Sequence, residues 1–254
     1  MLRIDLNCDV GESFGPYTIG ADEELMDYIT SANIACGGHA GDADVMDRTI
    51  KLAKEKKVAV GAHPGYPDIA GFGRRAIEYS PGEIYRMLIQ QIGALQAFCH
   101  VNHVPLKHVK PHGAMYNQAA RNRSLAEAIV QAVYDVDSDL ILYGLPGSEL
   151  IRAGNEAGLK TVSEAFADRT YLADGSLTPR NRPDALITDQ QAAVQQVERM
   201  VNEGVVEAVN GEMVTLEADT VCVHGDGPHA VHFVHGLWRS LHEKEIKVAS
   251  PGSP

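Results

Sequence analysis

Residues 81–113 read PGEIYRMLIQQIGALQAFCHVNHVPLKHVKPHG, and the fold is decided there. Ile84, Leu88, Ile92 and Leu95 fall at i, i+4, i+8 and i+11, one apolar stripe on a helix over 81–103 able to lie against a sheet or barrel wall. A short apolar run over 106–110 follows and ends in Lys110-Pro111-His112-Gly113, a strand that stops on ionisable residues and a turn. Helix, then buried strand, then polar residues is the unit of a parallel sheet with crossover helices. The unit recurs. Strand-like runs at 2–7, 32–36, 58–62, 106–110, 140–143, 161–164 and 220–224 alternate with helical patterns at 22–29, 44–56, 81–103, 124–134, 148–157, 188–202 and 228–242. Seven or eight such units in 254 residues match a closed (β/α) barrel, whereas a doubly wound open sheet carries fewer strands for that length. The expected fold class is α/β: a single-domain, seven-stranded barrel over 1–249, with a tail at 250–254 that lacks apolar anchors and is expected to fray. The connections 63–80 and 165–183 are long, as lids and binding loops commonly are.

With 44% apolar and 22% charged residues the chain is an ordinary globular one. Its 34 acidic and 22 basic side chains leave a net charge of −12, which repels nucleic acid phosphates and anionic membrane surfaces. Neither nucleic acid nor membrane is an expected partner. No run approaches a membrane span, and Asp5 stands where a signal peptide needs apolar residues, so a cytoplasmic location is expected. Cys8, Cys36, Cys99 and Cys222 lack paired spacing and read as small buried thiols, not as a disulfide framework or a CxxC metal site. There is no GxxxxGK[ST] loop, no GxGxxG after a strand and no GxSxG elbow.

In a parallel barrel the C-terminal strand ends converge on one rim, so residues just past each apolar run meet in space. Here those residues are Asn7, Asp9 and Glu12; His39 in a Gly37-Gly38-His39 turn; His63-Pro64-Gly65; Lys110 and His112; Glu164 with Asp168; and His224-Gly225-Asp226. Each has a plainer reading as well. Asn7 and Asp9 alternate across a strand end, and could equally form a turn on their own backbone. His63 alone would read as a satisfied core imidazole. His108 and Lys110 share a side of their strand, and one of them could snorkel outward. Asp226 suits a helix N-cap with Pro228 at the first helical position, which leaves His224 unexplained. His229, His232 and His235 recur at three-residue steps that drift around a helix without closing a ligand set. Glycines at 37–41 and 61–73, followed by Arg74-Arg75, would let backbone N–H groups approach an anion, a weak signal by itself.

Several longer strings carry a family resemblance: DLNCDVGESFGP at 5–16, ANIACGGHAGD at 32–42, VGAHPGYPD with GFGRR within 60–75, VKPHGAMYN at 109–117 and HGD at 224–226. They closely resemble the LamB/YcsF family, that of the A subunits of 5-oxoprolinase, over essentially the whole chain. The resemblance implies ATP-dependent hydrolysis of 5-oxo-L-proline to L-glutamate, with ATP and Mg²⁺ as cofactors and subunits B and C as partners. It also implies a seven-stranded barrel similar to the glycoside hydrolase and deacetylase barrels. A five-membered lactam holds amine and carboxyl together with an effective molarity on the order of 10⁵ M, about 7 kcal/mol, so its opening lacks the driving force of ordinary amide hydrolysis. Phosphorylating the lactam oxygen would make the carbonyl carbon electrophilic and link opening to phosphate release.

Residue type and position assign Asp9 or Glu12 as general base. His39, His63 and His112 would relay protons or position water, and Lys110, with Arg74, would neutralise the lactam oxygen or transferred phosphate. Asn7, Glu164, His224 and Asp226 would complete the substrate rim. Two alternatives stand beside this. One is a metal-dependent, deacetylase-like amide hydrolase, because similar barrels place an Asp-His-His metal set where Asp9, His63 and His112 fall. The other is a non-catalytic subunit, against which the cost of retaining polar groups in a closed mouth argues.

Overall fold

The computed structural model describes residues 2–223 and 230–253. In chain order its elements are β1 (Arg3–Val10), α1 (Asp22–Leu25), β2 (Ser31–Ala35), α2 (Ala43–Lys56), β3 (Ala59–His63), α3 (Pro81–Val101) and β4 (Leu106–Val109). There follow α4 (Gly113–Ala119), α5 (Arg123–Val136), β5 (Ile141–Gly144), α6 (Glu149–Ala157), β6 (Lys160–Phe166) and α7 (Gln190–Glu203). The last are β7 (Val205–Glu207), β8 (Met213–Thr215), β9 (Thr220–Val223), α8 (Ala230–Glu243) and β10 (Lys247–Val248). Strands β1 through β6 pair in order, β6 pairs β9, and β9 pairs β1, all in parallel, which closes a seven-stranded barrel. The barrel expected from the alternating pattern is the barrel found.

Helix α3 shows how the local sequence sets the elements. Ser80 and Glu83 form a reciprocal capping box, and Pro81 occupies the first turn, where its missing N–H is not needed. From that start Ile84, Leu88, Ile92 and Leu95 are all buried, so the apolar stripe lies on the barrel wall. Helix α2 is held at its start by the Asp42 carboxylate, which accepts from the Val45 N–H at 2.9 Å, and it ends on Lys57 in a left-handed conformation.

Several bounds depart from the sequence pattern. The helix expected at 22–29 shrinks to α1, whose Ala21 cap offers no side-chain oxygen to its first turn. Strand β1 runs on to Val10 because β2 and β9 flank it, pairing Asn7 with Ser31 and with Cys222. Asn7 and Asp9 therefore lie within a strand, as does Glu164 in β6. The antiparallel β7–β8 pair and β10, which adds to the start of β1, have no counterpart in that pattern; each is two or three residues long. Residues 250–253 turn back on the barrel, with a polar anchor in place of an apolar one: Arg3 Nη1 donates to the Ser253 carbonyl at 2.8 Å.

The barrel is polar inside. Ile4, Leu6, Cys8 and Val10 of β1 belong to the apolar core cluster, while Asp5, Asn7 and Asp9 alternate with them along the strand and join polar partners from the other strands. Asp5 accepts from Thr30 at 2.6 Å, Ser31 at 2.8 Å, Tyr143 at 3.0 Å and Thr220 at 2.6 Å. One level higher, Asn7 donates to Thr220 at 2.8 Å, Asn33 donates to Asn7 at 2.8 Å, and His108 Nε2 donates to the Asn33 side-chain oxygen at 2.8 Å. Neither His108 nor Lys110 snorkels outward; both are buried. All four cysteines are buried and free. His232 and His235 lie exposed on α8, with His235 against Tyr28, while His229 is outside the described residues.

Gly61 of β3 makes room for His108: a Cβ there would stand 2.0 Å from His108 Nε2. Gly61→Ala should destabilise the protein by about 2–4 kcal/mol through displacement of the imidazole and loss of its bond to Asn33, measured by urea unfolding; an unchanged midpoint would refute this packing. A second expectation concerns pH. Burial, then Lys110 and His63, bring His108 down to about 3, whereas an unfolded histidine takes up its proton near 6.5. The unfolded chain therefore gains a proton that the folded chain refuses. The stability from His108 is full above pH 6.5 and falls by roughly 1.4 kcal/mol per unit between 6.5 and about 3. His108→Gln should flatten that slope.

Candidate functional site

Lys110, the residue after β4, carries its ammonium into the middle of the barrel mouth and is buried there. Its Nζ lies 2.8 Å from Glu164 Oε1, 2.9 Å from Asp9 Oδ1, 3.3 Å from Asn7 Oδ1 and 3.0 Å from Cys222 Sγ. Strands β1, β6 and β9 thus all contribute partners to one cation. Burial opposes its charge most strongly, but Asp9, Cys222 and Glu164 together outweigh it and hold the ammonium well above the ordinary lysine value. Burial and the neighbouring Glu164 push the Tyr116 phenol up in turn. A buried charge of this kind persists only with converging counter-charges, and removing one partner costs about 3–5 kcal/mol.

Above the lysine sits a cluster of imidazoles and carboxylates. His63 ends β3, His112 caps α4, His39 lies in the turn after β2 and Glu12 follows β1; all four are buried. His63 Nδ1 lies 2.7 Å from the Lys110 carbonyl and His112 Nε2 lies 2.9 Å from the Phe72 carbonyl. A carbonyl oxygen can only accept, so each of these nitrogens carries a proton. The opposite nitrogens, His63 Nε2 and His112 Nδ1, approach to 2.9 Å. Asp9 Oδ2 is 3.2 Å from the first and Glu12 Oε1 3.8 Å from the second. His39 stacks on His112 with ring centroids 3.6 Å apart, and its Nε2 lies 3.2 Å from Glu12 Oε1. Burial, followed by the neighbouring imidazoles, pushes His39 and His112 well below the ordinary histidine value. Electron pairs therefore converge on one point: a donor atom from each of Glu12, His39, His63 and His112 lies within 4.8 Å of the others. Gly73, at φ +62°, closes over these rings, and a Cβ there would meet the His39 Cβ at 2.7 Å.

The cluster and Lys110 open into a cleft of about 570 Å³. Asp9, Glu12, His63, Lys110 and His112 line its inner end, and Arg74 lines it as well. Asn7 lies deeper, under Lys110, and Glu164 faces Lys110 from β6. His224 and Asp226 lie outside the described residues. Sequence reasoning did not reach Cys222, Asn33, Tyr116 or the arginines of the loop after β6. Cys222 and Asn33 were accessible from strand alternation, since Thr220 and Cys222 alternate inward with Val221 between them. Tyr116 sits on a helix of seven residues without an apolar period long enough to read.

Residues 4–253 match the model of the LamB/YcsF family. The chain is 58% identical over 248 residues to the A subunit of the 5-oxoprolinase of Bacillus licheniformis, covering 98% of each chain. It is 54% identical over 250 residues to that of Bacillus subtilis, covering 98% of this chain and 97% of the other. The crystal structure of a lactam utilization protein from Thermus thermophilus superposes with a TM-score of 0.93 at 44% identity, over 98% of this chain and 99% of that one. The catalytic domain of a peptidoglycan N-acetylglucosamine deacetylase from Eubacterium rectale, with a TM-score of 0.52 at 11% identity over 99% of this chain and 90% of that one, shares the fold alone. A match running from the first barrel strand to the last residues leaves one assignment: this chain belongs to the LamB/YcsF family.

Proposed function

We propose that this chain is the A subunit of an ATP-dependent 5-oxoprolinase, opening the lactam of 5-oxo-L-proline to L-glutamate together with subunits B and C. The observation that carries this reading is the full-length match to curated proteins of that name, 58% identical for one of them, in a chain whose barrel mouth gathers acid, base and cation. The lactam oxygen takes the terminal phosphoryl group of ATP, ADP leaves, and water adds to the activated carbon. The ring nitrogen then separates from that carbon as the amine takes a proton, which leaves a γ-acyl phosphate, and a second water cleaves this to the glutamate carboxylate and phosphate. Asp9 and Glu12 are the acceptors for the proton of the attacking water, with His39, His63 and His112 relaying it. Lys110 supplies fixed positive charge toward which negative charge on the opening ring develops, and Arg74 serves the phosphoryl group. Asn7 and Glu164 hold Lys110 in place. His224 and Asp226 remain assigned to the substrate rim, and the working location is the cytoplasm.

The converging electron pairs favour a second reading, in which the same groups hold a divalent transition metal. Glu12, His39, His63 and His112 fit such an ion, with Asp9 beside them. The His63 and His112 bonds to backbone carbonyls are the outer support that metal-binding imidazoles usually have. Bound there, the ion would supply Lewis-acid activation of water or of a carbonyl.

In the complex reconstituted with subunits B and C, Lys110→Met, His63→Ala and Asp9→Asn should each lower ATP-coupled glutamate formation at least about 100-fold, with far-ultraviolet circular dichroism unchanged. Near-normal turnover in all three would remove the mechanism. Elemental analysis of the purified chain separates the two readings. Stoichiometric zinc, lost in His63→Ala, favours the metal site. A metal-free chain that supports ATP-dependent turnover favours the first.

A further inference from the structure

The cleft is far larger than a five-membered lactam carboxylate needs, and its outer half has a different chemistry from its inner half. Arg74, Arg121, Arg169 and Arg180 all line it. The chain as a whole carries a net charge of −12, so four guanidiniums around one opening run against its average. The carboxylate among the outer lining residues, Asp174, is turned into its own loop, where it accepts from the Ser176 N–H at 2.9 Å and from the Ser176 hydroxyl.

Arg169 and Arg121 are the informative pair. Arg169 is only 4% exposed, yet its Nη2 and Nε donate to the Thr178 carbonyl at 2.6 Å and the Ala185 carbonyl at 3.2 Å. Those oxygens are uncharged and fix the guanidinium in place, with the Asp168 carboxylate nearby. Arg121 Nη2 donates to the Ser176 hydroxyl at 2.9 Å, again a neutral anchor. The two arginines thus grip the same short stretch, 176–178, through neutral oxygens, with Asp168 near Arg169 and Asp174 near Arg121, and both line the cleft. The loop that carries Arg169 is itself tied down, Arg169 bridging to Leu186 and Tyr171 to both Leu177 and Ala208. Arg74 stacks over the Phe72 ring at 4.9 Å, at the edge of the imidazole cluster. Burial, then the nearby Arg180 charge, with Asp168 opposing and Arg74 adding to them, bring Arg169 down to about 10. An arrangement held ready in this way matches the fork geometry with which guanidinium binds phosphate oxygens.

We propose that the outer half of the cleft is a phosphate subsite, built on Arg121 and Arg169 with Arg74 and Arg180 at its rim, and that it holds the phosphoryl groups of the nucleotide on this chain beside the lactam. This deepens the ATP-coupled reading and rests on it for the identity of the anion. The structure needs no glycine-rich nucleotide loop for the purpose, because side-chain guanidiniums take the place of backbone N–H groups. The inner carboxylates would repel a polyphosphate, so the arginines also fix which end of the cleft it occupies.

The test is calorimetric titration of the full chain at fixed ionic strength with inorganic phosphate, pyrophosphate and ADP, comparing wild type with Arg121→Gln, Arg180→Gln and Arg169→Lys. The first two change exposed residues, so binding can be read even if the buried Arg169 variant folds poorly. Arg239→Gln on α8, outside the cleft, controls for net charge. Saturable pyrophosphate binding is expected, weakened about tenfold or more by each cleft variant and unchanged by Arg239→Gln. ADP binding as tightly as pyrophosphate or tighter assigns the anion to a nucleotide. Binding of phosphate alone assigns the subsite to the transferred or released phosphoryl group and overturns the nucleotide assignment. No saturable binding of any of the three, or affinities equal across the cleft variants, overturns the proposal. Glutamate formation by the complex is scored separately: its absence with pyrophosphate binding intact sinks the lactam reading and leaves the subsite standing.

Discussion

A charged lysine inside a closed barrel is the constraint from which the rest of the site follows. An ammonium removed from water is costly by several kcal/mol, and the structure offsets this by bringing Asp9 and Glu164 to within 3 Å of it from strands on either side of β9. Those strands cannot shift register without separating the charges, since a slip of one residue would turn each carboxylate to the helical face. The same demand explains why the interior below Lys110 is filled with asparagine, serine, threonine, tyrosine and histidine in place of branched aliphatics. These groups find partners on neighbouring strands, as Asn7 does in Asn33 and Thr220, or across the barrel, as His108 does in Asn33 and Tyr143 in Asp5, and the ladder reaches from Asp5 at the bottom to His63 and His112 at the top.

A connected interior of this kind gives the mouth its rigidity. Dipoles and charges fixed before a substrate arrives need no reorganisation when charge develops in a transition state, which is where most electrostatic catalysis originates. The two ends of the cleft then divide the labour the proposed chemistry requires. Carboxylates and imidazoles with their electron pairs turned inward handle protons or a metal, and guanidiniums anchored by neutral oxygens handle an anion.

Much of the barrel was legible in the sequence because its signals are local. The α3 stripe, its Pro81 start, and the apolar runs of β2, β3, β4 and β5 each announce themselves within a dozen residues. The groups of the candidate site were legible in part for the same reason: Asp9, His63, Lys110 and His112 all sit at or just past apolar runs. The remainder depended on distant partners. That β1 runs on past Asn7 to take in Asp9, and β6 past Glu164, is set by neighbouring strands that extend the pairing, which no local pattern records. That Gly61 exists to admit His108 requires knowing that they face each other across β3 and β4. The arginines of the loop after β6 belong to no apolar period or motif, and only the fold turns them toward one opening.

Nitrogen-15 spectra of the lysine side chains, recorded as pH rises with Lys110 assigned through Lys110→Met, test the central feature most directly. The structure predicts an Nζ resonance in the ammonium form that persists above the ordinary lysine value of 10.5. A neutral amine at pH 7, or a titration below 10.5, would contradict a barrel organised around a buried cation.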